Sequence, residues 1–350
     1  MFLTIIIFIL ILAVLVVAHE WGHFFTARKM GMYVEEFAIG FPPRLWSWVK
    51  NGTRININAI PLGGYVKIPG ENGEDESMLE EGKALIHGEM LFSRKKAWQK
   101  ILVLCAGVVM NIIVGWLLLN PVFIHGIDPA VMIVSVSKNS PAYSVGIQAG
   151  DRIVGFNTID SFVATTKENV GKEMPITIDH NGEQKTVNPI PRVNPPAGEG
   201  SLGVALSESG VQPVGFWEAI VQAASSAVQV FSAIFILLWK LIGALFGLGG
   251  STLLQYLTGP VGVFQATAQA SAMGWVHVLY LAAIISLNLA AVNIFPFPAL
   301  DGGRVLMVII EKIKRSPVSA RTQAVVNGVG FFALIAVLLF ISVRDVIRIW

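Results

Sequence analysis

From Phe2 to Ala18 the chain carries one polar side chain, Thr4, in seventeen consecutive residues. A run of this kind admits few structures. If it lies in hydrocarbon, every backbone N–H and C=O must be paired within the segment, which leaves an α-helix. Crossing about 30 Å of hydrocarbon takes about 20 residues of helix, and the run extended to Ala27 is long enough. Residues 99 to 123, 275 to 298 and 326 to 343 satisfy the same requirement. With 54% hydrophobic and only 14% charged residues, and a mean hydropathy of +0.64, the chain reads as an integral membrane protein with a soluble part.

The charges flanking these runs give them a direction. No Lys or Arg precedes the first run, no small-x-small cleavage pattern ends it, and Arg28 and Lys29 follow it, so it reads as a retained span with its amino terminus outside. Arg94, Lys95, Lys96 and Lys100 before the second span put residues 28 to 98 in the cytoplasm. Arg304, Lys312, Lys314, Arg315 and Arg321 between the last two spans do the same for residues 301 to 325. The stretch from about 128 to 210 then falls outside. Residues 216 to 248 are apolar enough for a fifth span, but a fifth crossing would separate the two cytoplasm-marked regions. Glu218, Gln222, Ser225, Gln229 and Ser232 recur at steps of four, three, four and three, so the segment is expected to be an amphipathic helix in the outer interface. A buried span whose polar stripe faces other helices is the alternative. Cys105 is the only cysteine, which excludes a disulfide framework and a cysteine-based metal site. A net charge of +2 gives no reason to invoke nucleic acid.

The first span ends in His19-Glu20-Trp-Gly-His23. On a helix, positions i and i+4 project from one face, so two neutral imidazoles there can bind one Zn2+, while the glutamate after the first handles a proton on water. Buried in hydrocarbon, these three side chains are costly unless bound or paired. A catalytic zinc needs a third protein ligand and an open position. His125, His180 and His277 fall on or near the outer side, and His87 lies in a polar loop with no helix to hold it. Asp301 is the stronger candidate. It follows the third span in Asn293-Ile-Phe-Pro296-Phe-Pro298-Ala-Leu300-Asp301-Gly302-Gly303, on the same side as the histidines. The two prolines stop the helix, and irregular backbone at membrane depth is tolerated only where protein buries it or it lines a cavity. The competing role for Asp301 is an N-cap on the helix that starts near Arg304. If Arg28 marks the interface, His23 and His19 lie roughly 8 and 14 Å inward at 1.5 Å per residue.

His19-Glu-Trp-Gly-His23-Phe-Phe-Thr-Ala-Arg28, Gly40-Phe-Pro-Pro, Ile60-Pro-Leu-Gly-Gly-Tyr-Val-Lys67, Gly259-Pro-Val-Gly262 and Asn293 to Gly303 occur in the order found in one family. Over essentially its whole length the chain resembles the site-2 protease family of intramembrane zinc metalloproteases, and within it the bacterial regulator-of-sigma-E protease group. The resemblance implies that His19, His23 and Asp301 bind zinc and that Glu20 is the general base. Asn293 would support the substrate backbone or the developing oxyanion, or else form an interhelical hydrogen bond near the prolines. Residues 53 to 68 alternate and are expected to form a hairpin with Pro-Leu-Gly-Gly at its tip. The resemblance implies that it dips into the membrane and pairs with extended substrate. Val131 to Val136, Ser140 to Asp151 and Ile153 to Phe156 resemble one PDZ domain reaching about Leu206, where some members of the group carry two. Gly200 to Gly203 reads as a turn, with a backbone loop that receives a peptide carboxylate as the alternative.

The expected architecture is a polytopic α-helical membrane protein with a four-span core, a membrane-dipping β-hairpin on the cytoplasmic side and one extracytoplasmic PDZ-like α+β domain. The expected divisions are 1–29 (first span with the zinc motif), 30–98 (cytoplasmic-side loop and hairpin), 99–123 (second span), 128–208 (PDZ-like domain), 209–258 (amphipathic region), 275–303 (third span and Asp motif) and 326–350 (fourth span and carboxy terminus). The expected function is regulated intramembrane proteolysis in a bacterial inner membrane by a zinc metalloprotease, a hydrolase whose cofactor is Zn2+. Its partners would be single-span membrane substrates such as anti-sigma factors or signal-peptide remnants, an upstream site-1-type protease, and the lipid bilayer. A membrane zinc transporter or sensor and a noncatalytic PDZ scaffold are the competing classes. Glu20 argues against the transporter, which has no need of a carboxylate beside its first metal histidine, and an intact ligand set argues against the scaffold.

Overall fold

The computed structural model describes residues 2–71, 90–180, 182–196, 198–245 and 257–349. They fall into two compact units, one formed by 1–118, 224–267 and 281–350, the other by 119–223 and 268–280. His87 lies outside the described residues.

Among the described residues the first unit is helical and holds one small sheet. Helix α1 (Phe2–Lys29) contains the first span, and α2 (Ala97–His125) runs on from it into the second unit. Between them β1 (Glu36–Lys50) and β2 (Thr53–Lys67) turn at Asn51 and Gly52, both at positive φ (51° and 80°), as a two-residue Asn-Gly hairpin turn requires. The hairpin expected over 53–68 is here replaced by a different pairing. Glu36 lies opposite both Arg54 and Lys67, and Ile39 opposite both Ile57 and Gly64, so β1 enters between the two arms of β2. Alternation within 53–68 marks its arms as strands, but it carries no information about the strand that separates them. A buried polar cluster fixes this arrangement. Glu36 accepts from Arg54 (3.0 Å), Asn56 (3.3 Å) and the Tyr65 hydroxyl (3.0 Å), joining β1 to both arms.

The second unit contains a five-stranded sheet in the order β6-β5-β4-β3-β7, built from β3 (Ile127–Val136), β4 (Arg152–Ile153), β5 (Ile176–His180), β6 (Glu183–Val187) and β7 (Val204–Val211). Short α3 (Pro141–Ser144) and α4 (Ile159–Glu168) accompany it. Val131, Ile133, Ile153, Phe162, Ile176 and Ile178 form its core. The Gly203 N–H donates to the Gly200 carbonyl at 2.9 Å, the expected turn.

Among the described residues the remaining helices are α5 (Phe216–Leu245), α6 (Pro260–Met273), α7 (Trp275–Ile294), α8 (Asp301–Lys314) and α9 (Ala320–Ile349). Among the described residues five helices are long and apolar enough to cross a membrane: α1, α2, α5, α7 and α9. Length and composition therefore admit α5 beside the four spans expected from sequence. Large apolar side chains point outward, with Phe332 73% and Leu339 61% exposed on α9, a surface suited to hydrocarbon. On α5 Glu218, Ser225 and Gln229 of the polar stripe are exposed, Gln222 and Ser232 are half-buried, and Ala219, Ala223 and Ala227 are buried.

Small residues bring the helices of the first unit close together. A Cβ on Gly22 of α1 would stand 2.5 Å from the Ala106 carbonyl oxygen of α2, and one on Gly115 of α2 would stand 2.7 Å from Leu287 Cγ of α7. On α7 the buried face is Ala282, Ala283, Ser286, Leu287, Ala290 and Ala291. Such close approach is how helices gain packing energy where surrounding lipid is as apolar as the side chains.

Candidate metal centre

One turn of α1 sets His19 and His23 on the same side, with Nε2 atoms 3.2 Å apart and both residues 8% exposed. The third group arrives from residues almost three hundred positions away. Helix α7 ends at Ile294, short of the prolines, and the chain bends through Phe295 to Leu300, with Ala299 at a φ of 73°. Helix α8 then starts at Asp301. Leu300, not Asp301, occupies its N-cap position, so the capping role gives way to another: Asp301 Oδ2 stands 3.1 Å from His19 Nε2 and 3.3 Å from His23 Nε2. Gly302 and Gly303 explain why two glycines follow. A Cβ on either would collide with carbonyl oxygens of the bend, at Ile294 and Phe297 respectively. Without side chains the first turn of α8 lies directly on the bend, and this holds the Asp301 carboxylate toward α1.

The three atoms form a triangle with edges of 3.1, 3.2 and 3.3 Å. Tetrahedral zinc with ligands about 2.0–2.1 Å away separates those ligands by about 3.3–3.4 Å. Two imidazole nitrogens and one carboxylate oxygen therefore fit Zn2+ in both spacing and type, and they are the His19, His23 and Asp301 expected from sequence. The cluster also leaves one side open. A cavity of about 550 Å3 is lined by His19, Glu20, His23 and Asp301, and opposite them by Gly64, Tyr65 and Val66 of β2. Glu20 shares this cavity with the triad. Asn293 is also at the centre, its amide nitrogen 3.4 Å from His19 Nε2. This contact joins α7 to α1, and among the described residues the Asn293 side chain makes no hydrogen bond to the bend.

Several residues at the centre were not expected from sequence. The His23 Nδ1–H donates to the Val103 carbonyl of α2 at 2.8 Å, and the Asn111 amide lies 3.3 Å from His19 Nδ1. Gly107, between them on the same face, lies against both rings: an added Cβ would stand 2.7 Å from His19 Cε1 and would overlap His23 Nε2. The signal was present as Val103-x3-Gly107-x3-Asn111, a four-residue repeat that sets an amide inside an apolar span. Arg304 on α8 pairs with Glu71 in the cavity wall. Burial pushes the Glu71 carboxyl above its ordinary range, against the pull of the Arg304 guanidinium.

Asp345 explains a further motif. Its Oδ2 accepts from the N–H groups of Gly259 (2.8 Å) and Gly262 (3.1 Å), so the end of α9 caps the start of α6 at Gly-Pro-Val-Gly.

Residues 7–337 match the model of peptidase family M50. The chain is 28% identical to the zinc metalloprotease RasP of Shouchella clausii, with 99% of each chain covered. It is also 28% identical to the regulator of sigma-W protease RasP of Bacillus subtilis, again over 99% of both. A family match spanning nearly all of the chain, including both ends of the His19–His23–Asp301 cluster, means that the chain belongs to peptidase family M50.

Proposed function

We propose that the chain is a zinc-dependent intramembrane endopeptidase that cuts single-span membrane proteins, such as anti-sigma factors or signal-peptide remnants, in regulated intramembrane proteolysis. One observation carries the reading: His19, His23 and Asp301 converge to within 3.3 Å at the ends of apolar helices, and Glu20 faces the same cavity. Bound zinc supplies a Lewis acid that polarises the scissile carbonyl and acidifies water. Glu20 accepts a proton from the attacking water and passes it to the departing amine. Asn293, whose amide reaches the triad, donates to the oxyanion that develops on the carbonyl.

A transmembrane helix hides its peptide bonds in its own hydrogen bonds, so substrate must become extended before it is cut. The stretch of β2 from Gly64 to Val66 lines the cavity and offers strand backbone for that purpose. The depth calculated from Arg28 supports a site inside hydrocarbon near the cytoplasmic face, with the β-sheet dipping in beside it. In a bacterial inner membrane the core has four spans, and α5, which exposes Glu218, Ser225 and Gln229 of its polar stripe, lies in the outer interface. The five-stranded unit is PDZ-like and extracytoplasmic, and it restricts the site to substrates already shortened by an upstream protease.

The test is cleavage of a tagged single-span substrate by wild type and by Glu20→Gln, with zinc measured in both. Lost cutting with retained zinc is expected, and equal cutting by the variant overturns the mechanism. Thiols introduced at Ser209 and Gly250 should be labelled from the same side, whereas labelling from opposite sides would make α5 a span.

A further inference from the structure

We infer that Asn111 is a positioning residue for His19, holding its ring in the one protonation form that leaves Nε2 free to bind metal. The inference rests on the zinc reading above and concerns α2, which supplies no ligand itself.

A neutral imidazole carries one proton. For Nε2 to offer its lone pair, the proton must sit on Nδ1, which is then a donor and needs an acceptor. His23 meets this requirement through the Val103 carbonyl at 2.8 Å. The corresponding neighbour of His19 Nδ1 is the Asn111 side-chain amide, set with its Nδ2 toward the ring at 3.3 Å and its Oδ1 unpaired. The two ends of an amide have nearly the same shape and exchange when it turns over, so the inference concerns the turned orientation, with Oδ1 toward the ring. If Nδ2 faces the ring, the proton is driven to His19 Nε2 and the metal position is blocked. With Oδ1 facing the ring, Nδ1–H has its acceptor and both Nε2 atoms converge on Asp301.

Three further observations separate this from ordinary packing. Asn111 is fully buried, and the end of its amide turned away from His19 has no hydrogen-bond partner among the described residues. Either orientation leaves one end unpaired, which a residue selected for packing alone would avoid. The Asn111 carbonyl accepts from Ser286 Oγ of α7 at 2.8 Å, which ties this turn of α2 to the helix that leads to Asp301. Finally, Val103, Gly107 and Asn111 lie on one face of α2: an acceptor for His23, a gap for both rings and an acceptor for His19. Orienting partners of this kind commonly change metal affinity by 10–100-fold.

The experiment compares Asn111→Leu and Asn111→Asp in the full chain in detergent, using zinc alone as the probe in competition with a chromophoric chelator. Cobalt substitution gives an independent reading of ligand geometry through its visible absorption. Leucine conserves volume and removes the acceptor; aspartate keeps an acceptor at the cost of a buried charge. Zinc affinity should fall about 10–100-fold in Asn111→Leu, with an altered cobalt spectrum, and remain within a few-fold of wild type in Asn111→Asp. The opposite ranking, with leucine tolerated and aspartate disruptive, assigns Asn111 to packing and overturns the inference. Wild-type affinity in both variants also overturns it. Should wild type itself bind no zinc, the metalloprotease reading fails and this inference with it; the variants decide the inference alone only when wild type binds.

Discussion

Replacing Gly107 with alanine adds a single methyl group to α2 and tests the claim that this helix sets the geometry of the centre. The new Cβ would lie 2.7 Å from His19 Cε1 and 2.8 Å from His19 Nδ1, and would overlap His23 Nε2. Ordinary contact begins near 3.4 Å, so the His19 ring must withdraw by about 0.7 Å and the His23 ring by more, unless α2 moves away as a whole. Helix withdrawal is opposed by the Gly22 contact with Ala106 and by the Ser286 bond to Asn111. Metal–ligand distances tolerate about ±0.2 Å, several-fold less than the required displacement. Gly107→Ala should therefore weaken zinc binding by at least about 100-fold, or about 2.7 kcal/mol, and abolish cleavage. The assay is zinc retained per folded protein against a graded chelator, with thermal unfolding followed in the same detergent. Gly115→Ala is the control. Its Cβ would press on the flexible Leu287 side chain, away from the histidines, and should cost about 1–3 kcal/mol of stability while leaving the zinc affinity of the folded protein unchanged. If Gly107→Ala binds zinc like wild type, α2 does not hold the rings as described.

Asp301→Ala should lose zinc under chelator concentrations that leave wild type loaded, since it removes one of three ligand atoms; retained affinity would remove Asp301 from the centre. Chelation of wild type should lower its thermal midpoint, and added Zn2+ should restore it, because a ligand that binds only the folded chain stabilises it by mass action. Asp345→Ala strands the N–H groups of Gly259 and Gly262 and should cost about 1–3 kcal/mol for each group left unpaired, read as a lower unfolding midpoint with unchanged zinc affinity. For Glu71, burial raises the folded pKa above the ordinary 4.5, so the folded chain binds more protons than the unfolded one and this group lowers stability as pH rises through that window. Glu71→Gln should flatten that decline in a pH series of unfolding midpoints, and an unchanged slope would contradict the assignment.

Much of the centre was legible because its signals are local. His19 and His23 share a face through helix spacing alone, and Asp301 could be placed beside them by membrane side and by the Pro-x-Pro interruption. The sheet was less legible. Alternation identified 53–68 as strands, but β1 carries Phe-Pro-Pro and two exposed tryptophans and does not alternate cleanly, so its entry between the arms of β2 left no periodic trace. Gly107 and Asn111 were passed over for a similar reason: an isolated glycine and amide in an apolar span have meaning only when the ring they face is known.

The sequence by itself determined that this chain must put helices into hydrocarbon, that two histidines and a glutamate lie on the first of them, and that an aspartate returns to the same side after a broken span. Those conclusions follow from backbone satisfaction, helix periodicity and charge placement, which act within one segment at a time. Only the tertiary structure decided that the three ligand atoms close to a triangle of 3.1–3.3 Å, that α2 lies behind the rings, and that α9 reaches back to cap Gly-Pro-Val-Gly. Distances between segments are fixed by packing, here by glycines that let backbones approach, and no single segment contains that information.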